Sequence, residues 1–427
     1  GKSLIENYIP TSIDPKDPSK LDIGPVNTTV TTNPVDGVRL RASLQTTANL
    51  NPHMFWRGYL AYGFRDQRWK GLGELTYSFR RKAYLPMEFP VSNLTFTYSY
   101  DVSVPSDQYL TTDKDNVFMA FKWADVKHMT YDRSFKLVYD QEWDYGLQWR
   151  AQLRHDMTEP TYKLFYQPVV NGIHYDAQGN YNPRPFGPGD GTSFSARNRR
   201  YLRTTDFSVL LQYQPGVAYI NTKQRRILVN KEAPIYRISH MAGLRGVWSD
   251  YTYNLTEVGV RKRVWLRSWG RMDFDFAAGA QWNRVPFPLL IMPRANLAYV
   301  YDDDMYYLVD NMEFLNDRYA QLMFNWSMNG KIFNRIPLFN RLKWREHVGF
   351  NILWGRLTDK NNPYLEKNKT RSDLYYFPGE FNPDGSFRQQ SKVMDPQVPY
   401  VEAAFGIHNI FKLFHIDYVR RFTYLDD

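Results

Sequence analysis

The stretch from Asn93 to Asp101, NLTFTYSYD, separates by parity into two unlike sets: Leu94, Phe96, Tyr98 and Tyr100 against Asn93, Thr95, Thr97, Ser99 and Asp101. The same division returns along the chain. Leu75, Tyr77 and Phe79 alternate with Glu74, Thr76 and Ser78, and Tyr145, Leu147, Trp149, Ala151 and Leu153 with Gln148, Arg150, Gln152 and Arg154. Phe207, Val209, Leu211 and Tyr213 alternate with Asp206, Ser208 and Gln212. Met272, Phe274, Phe276, Ala278, Ala280 and Trp282 alternate with Arg271, Asp273, Asp275 and Gln281. Successive side chains leave opposite faces of a strand, so this period predicts β-strands with one aromatic and one polar face.

A soluble sandwich with one wet face and a membrane barrel both use such strands. Length and charge choose between them. The alternating runs last about nine to thirteen residues, near membrane-strand length and beyond the usual strand of a soluble sheet. Arg150, Arg154, Asp273 and Asp275 fall in mid-run on the face opposite the aromatics, where a polar-packed or water-filled lumen accommodates them. Composition agrees: 32 Tyr, 27 Phe and 12 Trp make the chain 17% aromatic, yet its mean hydropathy is only −0.57. The best candidate for an apolar helix, Val285 to Pro293, is short and contains Pro286, Pro288 and Pro293. Only alternate residues of a barrel strand meet lipid, which reconciles many aromatics with low overall hydropathy.

Strands are expected at 24–34, 37–47, 53–64, 70–81, 92–102, 116–125, 132–140, 145–155, 161–167, 203–213, 236–248, 251–267, 270–283, 317–329, 340–356, 398–409 and 413–425. The fold class is thus all-β, a transmembrane antiparallel outer-membrane β-barrel of about 14–18 strands. Residues 1–23, which include the Pro-rich IPTSIDPKDPSKLDI, read as a linker or periplasmic lead-in, and 24–427 as the barrel. Long connections rich in Gly, Pro, Asn and Asp fall at 168–202, 284–316 and 357–397, whereas DMTEP (156–160) and HNIFK (408–412) read as turns. Long loops of such barrels face outside. Strand 398–409 then descends, the chain turns at HNIFK, and 413–425 ascends, so a final strand is expected beyond Asp427, with Asp426 and Asp427 opening a surface loop.

In that last strand Phe414, Ile416, Tyr418, Phe422 and Tyr424 are expected to face lipid, and His415, Asp417, Arg421 and Thr423 the lumen. Arg420 breaks the pattern on the lipid side and is expected to pair with a neighbour or to meet a partner protein.

Chemistry-bearing motifs do not stand out. The sequence contains no P-loop, GxGxxG, HExxH or GxSxG. It has no cysteine, which excludes disulfide scaffolds and thiolate metal sites. Its histidines, at 53, 128, 155, 174, 240, 347, 408 and 415, show no ligand-like spacing, and His240 and His415 read as strand residues near an interface. Asp302, Asp303 and Asp304 lack the Gly and distal Glu of a calcium loop and read as a solvated turn. A membrane-embedded protease would need a His–Asp pair at a rim; His155 and Asp156 are adjacent in a strand and point to opposite faces. No catalytic, cofactor-binding or metal residue is therefore assigned, and no cofactor. The net charge of +10 is dispersed among aromatics and matches no nucleic-acid motif, so nucleic acid is excluded as a partner. Three basic groups, Arg80–Arg81–Lys82, Arg199–Arg200–Arg203 and Arg261–Lys262–Arg263, are expected at headgroup level against outer-membrane lipid or lipopolysaccharide.

Six segments, NPVDGVRLR (33–41), GYLAYGFRD (58–66), EFLNDRYA (313–320), NRIPLFNRLKWRE (334–346), LTDKNNP (357–363) and PYVEAAFGIHNIFKLFHIDYVRRFTYLD (399–426), resemble one family over nearly the whole chain. It is the DUF5686-type outer-membrane β-barrel family of Bacteroidota, whose members usually carry a small carboxypeptidase-regulatory-like sandwich before the barrel. That sandwich is non-catalytic, so the resemblance implies neither peptidase activity nor site residues. Family members also continue past the TYLD segment into another short apolar strand. The last hairpin is similar to the penultimate hairpin of BamA-type insertases, but the VRGF-type motif of their lumen loop is missing here. The resemblance implies a non-enzymatic envelope-complex subunit with outer-membrane or periplasmic protein partners, such as a BamA-type insertase complex. A channel or transporter for small solutes is the alternative, and a surface enzyme the third reading.

Overall fold

The computed structural model describes residues 8–105, 128–162, 164, 166, 169, 201–223, 226–295, 305–381, 387–411 and 414–425. In chain order the strands are β1 (Ile9–Pro10), β2 (Leu21–Ile23), β3 (Val30–Asn33), β4 (Gly37–Thr46), β5 (Met54–Gly63), β6 (Trp69–Ser78), β7 (Ser92–Ser103), β8 (His128–Glu142), β9 (Leu147–Tyr162) and β10 (Leu202–Tyr213). They continue as β11 (Tyr219–Asn221), β12 (Arg226–Leu228), β13 (Ile235–Gly243), β14 (Asn254–Trp265), β15 (Arg271–Gln281), β16 (Arg318–Ser327), β17 (Arg345–Arg356), β18 (Gly379–Phe381), β19 (Phe387–Gln389), β20 (Tyr400–Ile410) and β21 (Phe414–Arg421). A single short helix, α1 (Pro337–Leu342), joins β16 to β17 among the described residues.

One antiparallel 17-stranded sheet holds all of these strands except the β11–β12 and β18–β19 hairpins. From β4 onward each wall strand pairs with the next in sequence, ending with β20 against β21. β2 and β3 lie end to end along the other edge of β4, at Leu44–Thr46 and Gly37–Leu40, and act as one interrupted strand. The break is the 3-10 turn Val26–Thr28. Among the described residues no ladder joins β21 to β2 or β3.

The wall has the two faces the alternation requires. Outward stand Val38, Leu40, Leu60, Phe96, Leu137, Phe207, Ile238, Phe276, Trp354 and Phe405, all exposed. Cross-strand aromatic pairs knit this outer face: Tyr98 with Phe135 at 4.8 Å between centroids and Phe274 with Phe324 at 5.1 Å. Inward stand Arg39, Lys70, Asp206, Asn351 and Glu402, all buried. No helix among the described residues is long and apolar enough to cross a membrane.

Connections divide by end. The chain leaves β7, β9, β15 and β17 at the same end as the tight turns at 34–36 and 64–68. The opposite, short-turn end carries 47–53, 79–91, 143–146, 266–270 and 411–413, together with two larger excursions, the β11–β12 hairpin and the α1 segment. Glycine is required at two of these turns. Gly146 and Gly270 have φ of +94° and +82°, and a Cβ on either would strike the carbonyl oxygen of Gln214 or Ser327.

Several sequence expectations are corrected. DMTEP is no turn: Asp156 to Pro160 continue β9, a strand of 16 residues, and pair with β8. Pro160 lies past Thr158, where the β10 ladder stops, so its missing N–H costs no bond on that side. The separate strand at 161–167 therefore dissolves into the end of β9, with Leu164 and Tyr166 buried beyond it. Residues 340–344 are not strand, because Pro337 starts α1 and Lys343 ends it in the left-handed region. The strand at 236–248 ends at Gly243, and that at 251–267 begins at Asn254. The strand at 116–125 and the Asp302–Asp304 run lie outside the described residues.

Candidate functional site: the filled lumen

Much of the buried charge in the wall is paired, which offsets the cost of burying ions. Near the long-loop end Lys70, 2% exposed, lies 2.5 Å from Asp36 and 2.6 Å from Asp66. Arg39 donates to both oxygens of Asp101 at 2.6 and 2.7 Å, and Tyr59 donates its hydroxyl to the same carboxylate. Tyr131 donates to Asp66 at 2.7 Å, and the Arg41 guanidinium lies 3.7 Å from the centre of the Tyr59 ring. Further round, Arg154 bonds Asp206 at 2.9 Å and Asp156 at 3.2 Å, with the Tyr253 hydroxyl on Asp206 at 2.8 Å. On β14 and β15, Arg261 donates to Asp275 and Arg263 to Asp273.

The basic groups are thereby reassigned. Arg261 and Arg263 point inward to these carboxylates and are not headgroup contacts, whereas Arg203 bonds Asp250 at 3.2 Å and keeps its side chain 41% exposed. Lys82 is buried as well, while Arg80 and Arg81 are exposed at the short-turn end. Arg199 and Arg200 lie outside the described residues. Arg420 sits on the outer face opposite Ala403, with its guanidinium 5.6 Å from the Phe422 ring centre. It lies one residue from the long-loop end of β21.

Long-loop segments fold back into the barrel. Val285, Phe287, Leu290, Ile291, Met292, Met312 and Leu315 pack with Tyr375 and Phe377 against Tyr166, Leu202, Tyr251 and Tyr253. A second cluster places Tyr306, Val309 and Phe314 against Val102, Met129, Met323, Leu353 and Tyr400. Between them, residues 306–308 reach the wall itself. The backbone N–H groups of Tyr307 and Leu308 donate to the Glu402 carboxylate at 2.7 and 2.9 Å. Asn351 and Tyr400 donate to the same buried carboxylate at 2.8 and 2.7 Å. Asp317, fully buried, accepts from Thr358 and from Asn361, which ties the foot of one loop to the start of the next.

A cavity of about 140 Å³ lies beside this plug, lined by Arg237, Glu257, Arg261, Asp275, Arg294 and Tyr319 among others. Tyr319 donates to Glu257 across it at 2.7 Å. Among the described residues the lumen is thus packed by loop segments of its own chain, with many wall charges in ion pairs and others, such as Glu402, held by neutral donors.

Three of the histidines converge, against the sequence expectation. His347 and His408 stack with ring centres 4.3 Å apart, and His415 stands 5.0 Å from His408. His408 Nε2 lies 2.9 Å from Asp417 Oδ1, a His–Asp pair at the short-turn rim. The readable signal was local: His415 and Asp417 share lumen parity, and His408 flanks the same turn. His155 bonds Thr205 and His240 bonds Thr256, both through Nδ1 at 2.9 Å, as strand residues.

The fold is similar to that of a solved barrel. BamA from Haemophilus ducreyi lacking POTRA domains 1–3 superposes with a TM-score of 0.50 at 9% identity, over 92% of this chain and 65% of that one. The chain thus spans just under two thirds of that structure. OmpT (in-vitro folded), an outer membrane protein of Vibrio cholerae, gives a TM-score of 0.32 at 8% identity, over 90% of this chain and 89% of that one. No curated protein matches the chain. The model of the "Family of unknown function (DUF5686) C-terminal domain" matches residues 11–368, so with its inward-folded loops and ion-paired wall this chain is a β-barrel member of the DUF5686 family.

Proposed function

We propose that the protein is a non-enzymatic, non-conducting barrel of the outer membrane that works through its surfaces, as a subunit of an envelope complex such as one that assembles outer-membrane proteins or surface lipoproteins. The observation that carries this reading is the lumen occupied by residues 285–295 and 305–317, with the Tyr307 and Leu308 amides anchored on Glu402 of the wall. A solute channel needs a continuous hydrated path, and here the path is crossed by backbone bonded to the barrel. Long loops of outer-membrane barrels face outside, which turns the short-turn end to the periplasm. There Ile220, Ile227, Val229, Ile332, Ile336 and Leu338 stand exposed, more apolar surface than plain turns present.

The test is isolation of the protein from native membranes in mild detergent, paired with planar-bilayer recording of the purified barrel. Stoichiometric envelope proteins in the eluate and silent bilayers are expected. Recovery of the barrel alone, together with sustained conductance, would overturn the proposal in favour of a channel.

A further inference from the structure

The cluster at the short-turn mouth has the composition and placement of a ligand set. His347 is the third residue of β17, His408 lies near the end of β20, and Asp417 is the fourth residue of β21; they come from three neighbouring strands. Register explains how they meet. Gly406 pairs with His347 on one side and with Asp417 on the other. A Cβ on Gly406 would collide with Asp417 Oδ1 and stand 3.1 Å from His408 Nε2, so glycine keeps open the space into which the three side chains lean. A register shift between Ile407 and Ile410, with Asn409 at φ +65°, accompanies the turn of His408 toward the lumen.

The donor atoms of His347, His408 and Asp417 all lie within 4.8 Å of one another. The His408 and Asp417 donors, 2.9 Å apart, already stand near the roughly 3.3 Å that separates neighbouring ligands of a tetrahedral ion with 2.0–2.1 Å bonds. His347 is 5% exposed, and its Nδ1 has no hydrogen-bond partner. A buried imidazole nitrogen without a partner is costly unless something takes its lone pair. Arg271, whose charge acts on His347, lies 3.5 Å from Asp273.

We propose that His347, His408 and Asp417 bind one divalent transition-metal ion of the zinc class, with water completing its four-coordinate shell. Imidazole-rich sets select such ions over calcium and magnesium, which require oxygen ligands. The ion stitches the bulged β20–β21 hairpin to β17, and closing on it takes rotation of the stacked His347 and His408 rings.

The experiment uses the full chain, purified without a histidine tag, folded in detergent, stripped with chelator and titrated with Co²⁺ alone. One equivalent is expected to bind with visible absorption of a four-coordinate nitrogen–oxygen site, and Zn²⁺ to displace it. His408→Gln and Asp417→Asn are each expected to weaken Co²⁺ binding at least about a hundredfold, since even outer-shell losses cost tenfold to a hundredfold. Heat-modifiable gel mobility reports that each variant is folded. X-ray absorption of the Zn²⁺-loaded wild type, which depends on no variant, is expected to show imidazole scattering. No stoichiometric Co²⁺ binding by the wild type, or undiminished binding by either folded variant, overturns the site.

Discussion

Tyr307, carried into the lumen by a long-loop segment, occupies the place that a side chain at Gly349 of β17 would take. Its hydroxyl lies 3.4 Å from Asn325 on β16, and any Cβ on Gly349 would collide with it. The wall strand has been kept bare where the plug seats.

Gly349→Leu is therefore expected to unseat residues 306–308 while leaving the outer face of β17 intact. Overpacking of this kind costs about 1–3 kcal/mol. Single-channel recording is the check: bursts of conductance in the variant and none in the parent. A variant as silent as the parent would show that Tyr307 does not hold the lumen closed.

Glu402 receives four donors from Tyr307, Leu308, Asn351 and Tyr400. Glu402→Ala strands all of them in a buried site, for an expected loss of about 3 kcal/mol or more. The urea midpoint should fall, and limited proteolysis should begin to cut between residues 305 and 317. Unchanged cleavage there would separate the carboxylate from the plug.

Lys70 neutralises two carboxylates at once. Lys70→Met leaves Asp36 and Asp66 facing each other and is expected to destabilise the barrel by about 3–5 kcal/mol. Adding Asp66→Asn should restore part of that loss, with a coupling of about 0.5–3 kcal/mol in the double-mutant cycle. Strict additivity would mean that the pair does not act as a unit.

Lys82 sits in the 79–91 connection, outside the membrane span, and donates to the carbonyls of Glu88 and Pro90 at 2.6 and 3.0 Å. Burial pushes its ammonium down to about 8 from the ordinary 10.5. Between those values the unfolded chain holds the proton and the folded one has released it, so stability rises with pH from about 8 to about 10.5. The gain is absent below pH 8, where both states are protonated. Urea midpoints across this range, compared with those of Lys82→Met, should show the rise only in the parent; parallel curves would contradict it.

The α1 segment presents Ile332, Ile336, Leu338 and Leu342, all exposed, among Lys331, Arg335, Arg341, Lys343 and Arg345. That mixture suits the boundary of an anionic leaflet. Because the chain has no cysteine, Leu338→Cys accepts a single polarity-sensitive dye. In nanodiscs its emission should shift to the blue, more so with anionic lipid. Emission equal to that of dye in buffer would place the segment in water.

Alternation alone determined that this chain is a wall of long strands with an aromatic outside and a charged inside, because period two is a local property of each strand. The same alternation put Asp417 and Arg421 on one face and Arg420 on the other, as the fold bears out, but Tyr424, expected to face lipid, packs against Phe314 instead. Turn residues misled where a proline was tolerated at a ladder's end, as at Pro160, since nothing local says where a neighbour stops pairing. Only the tertiary structure decided the rest. That Arg261 meets Asp275, that Glu402 anchors Tyr307, and that His347 joins His408 and Asp417 over Gly406 all depend on register between strands and on loops folding back, which no local pattern encodes. Whether the lumen was open or filled was likewise invisible in the sequence. A Gly-, Pro- and Asp-rich loop looks the same whether it waves in solvent or packs its few aromatics into a barrel.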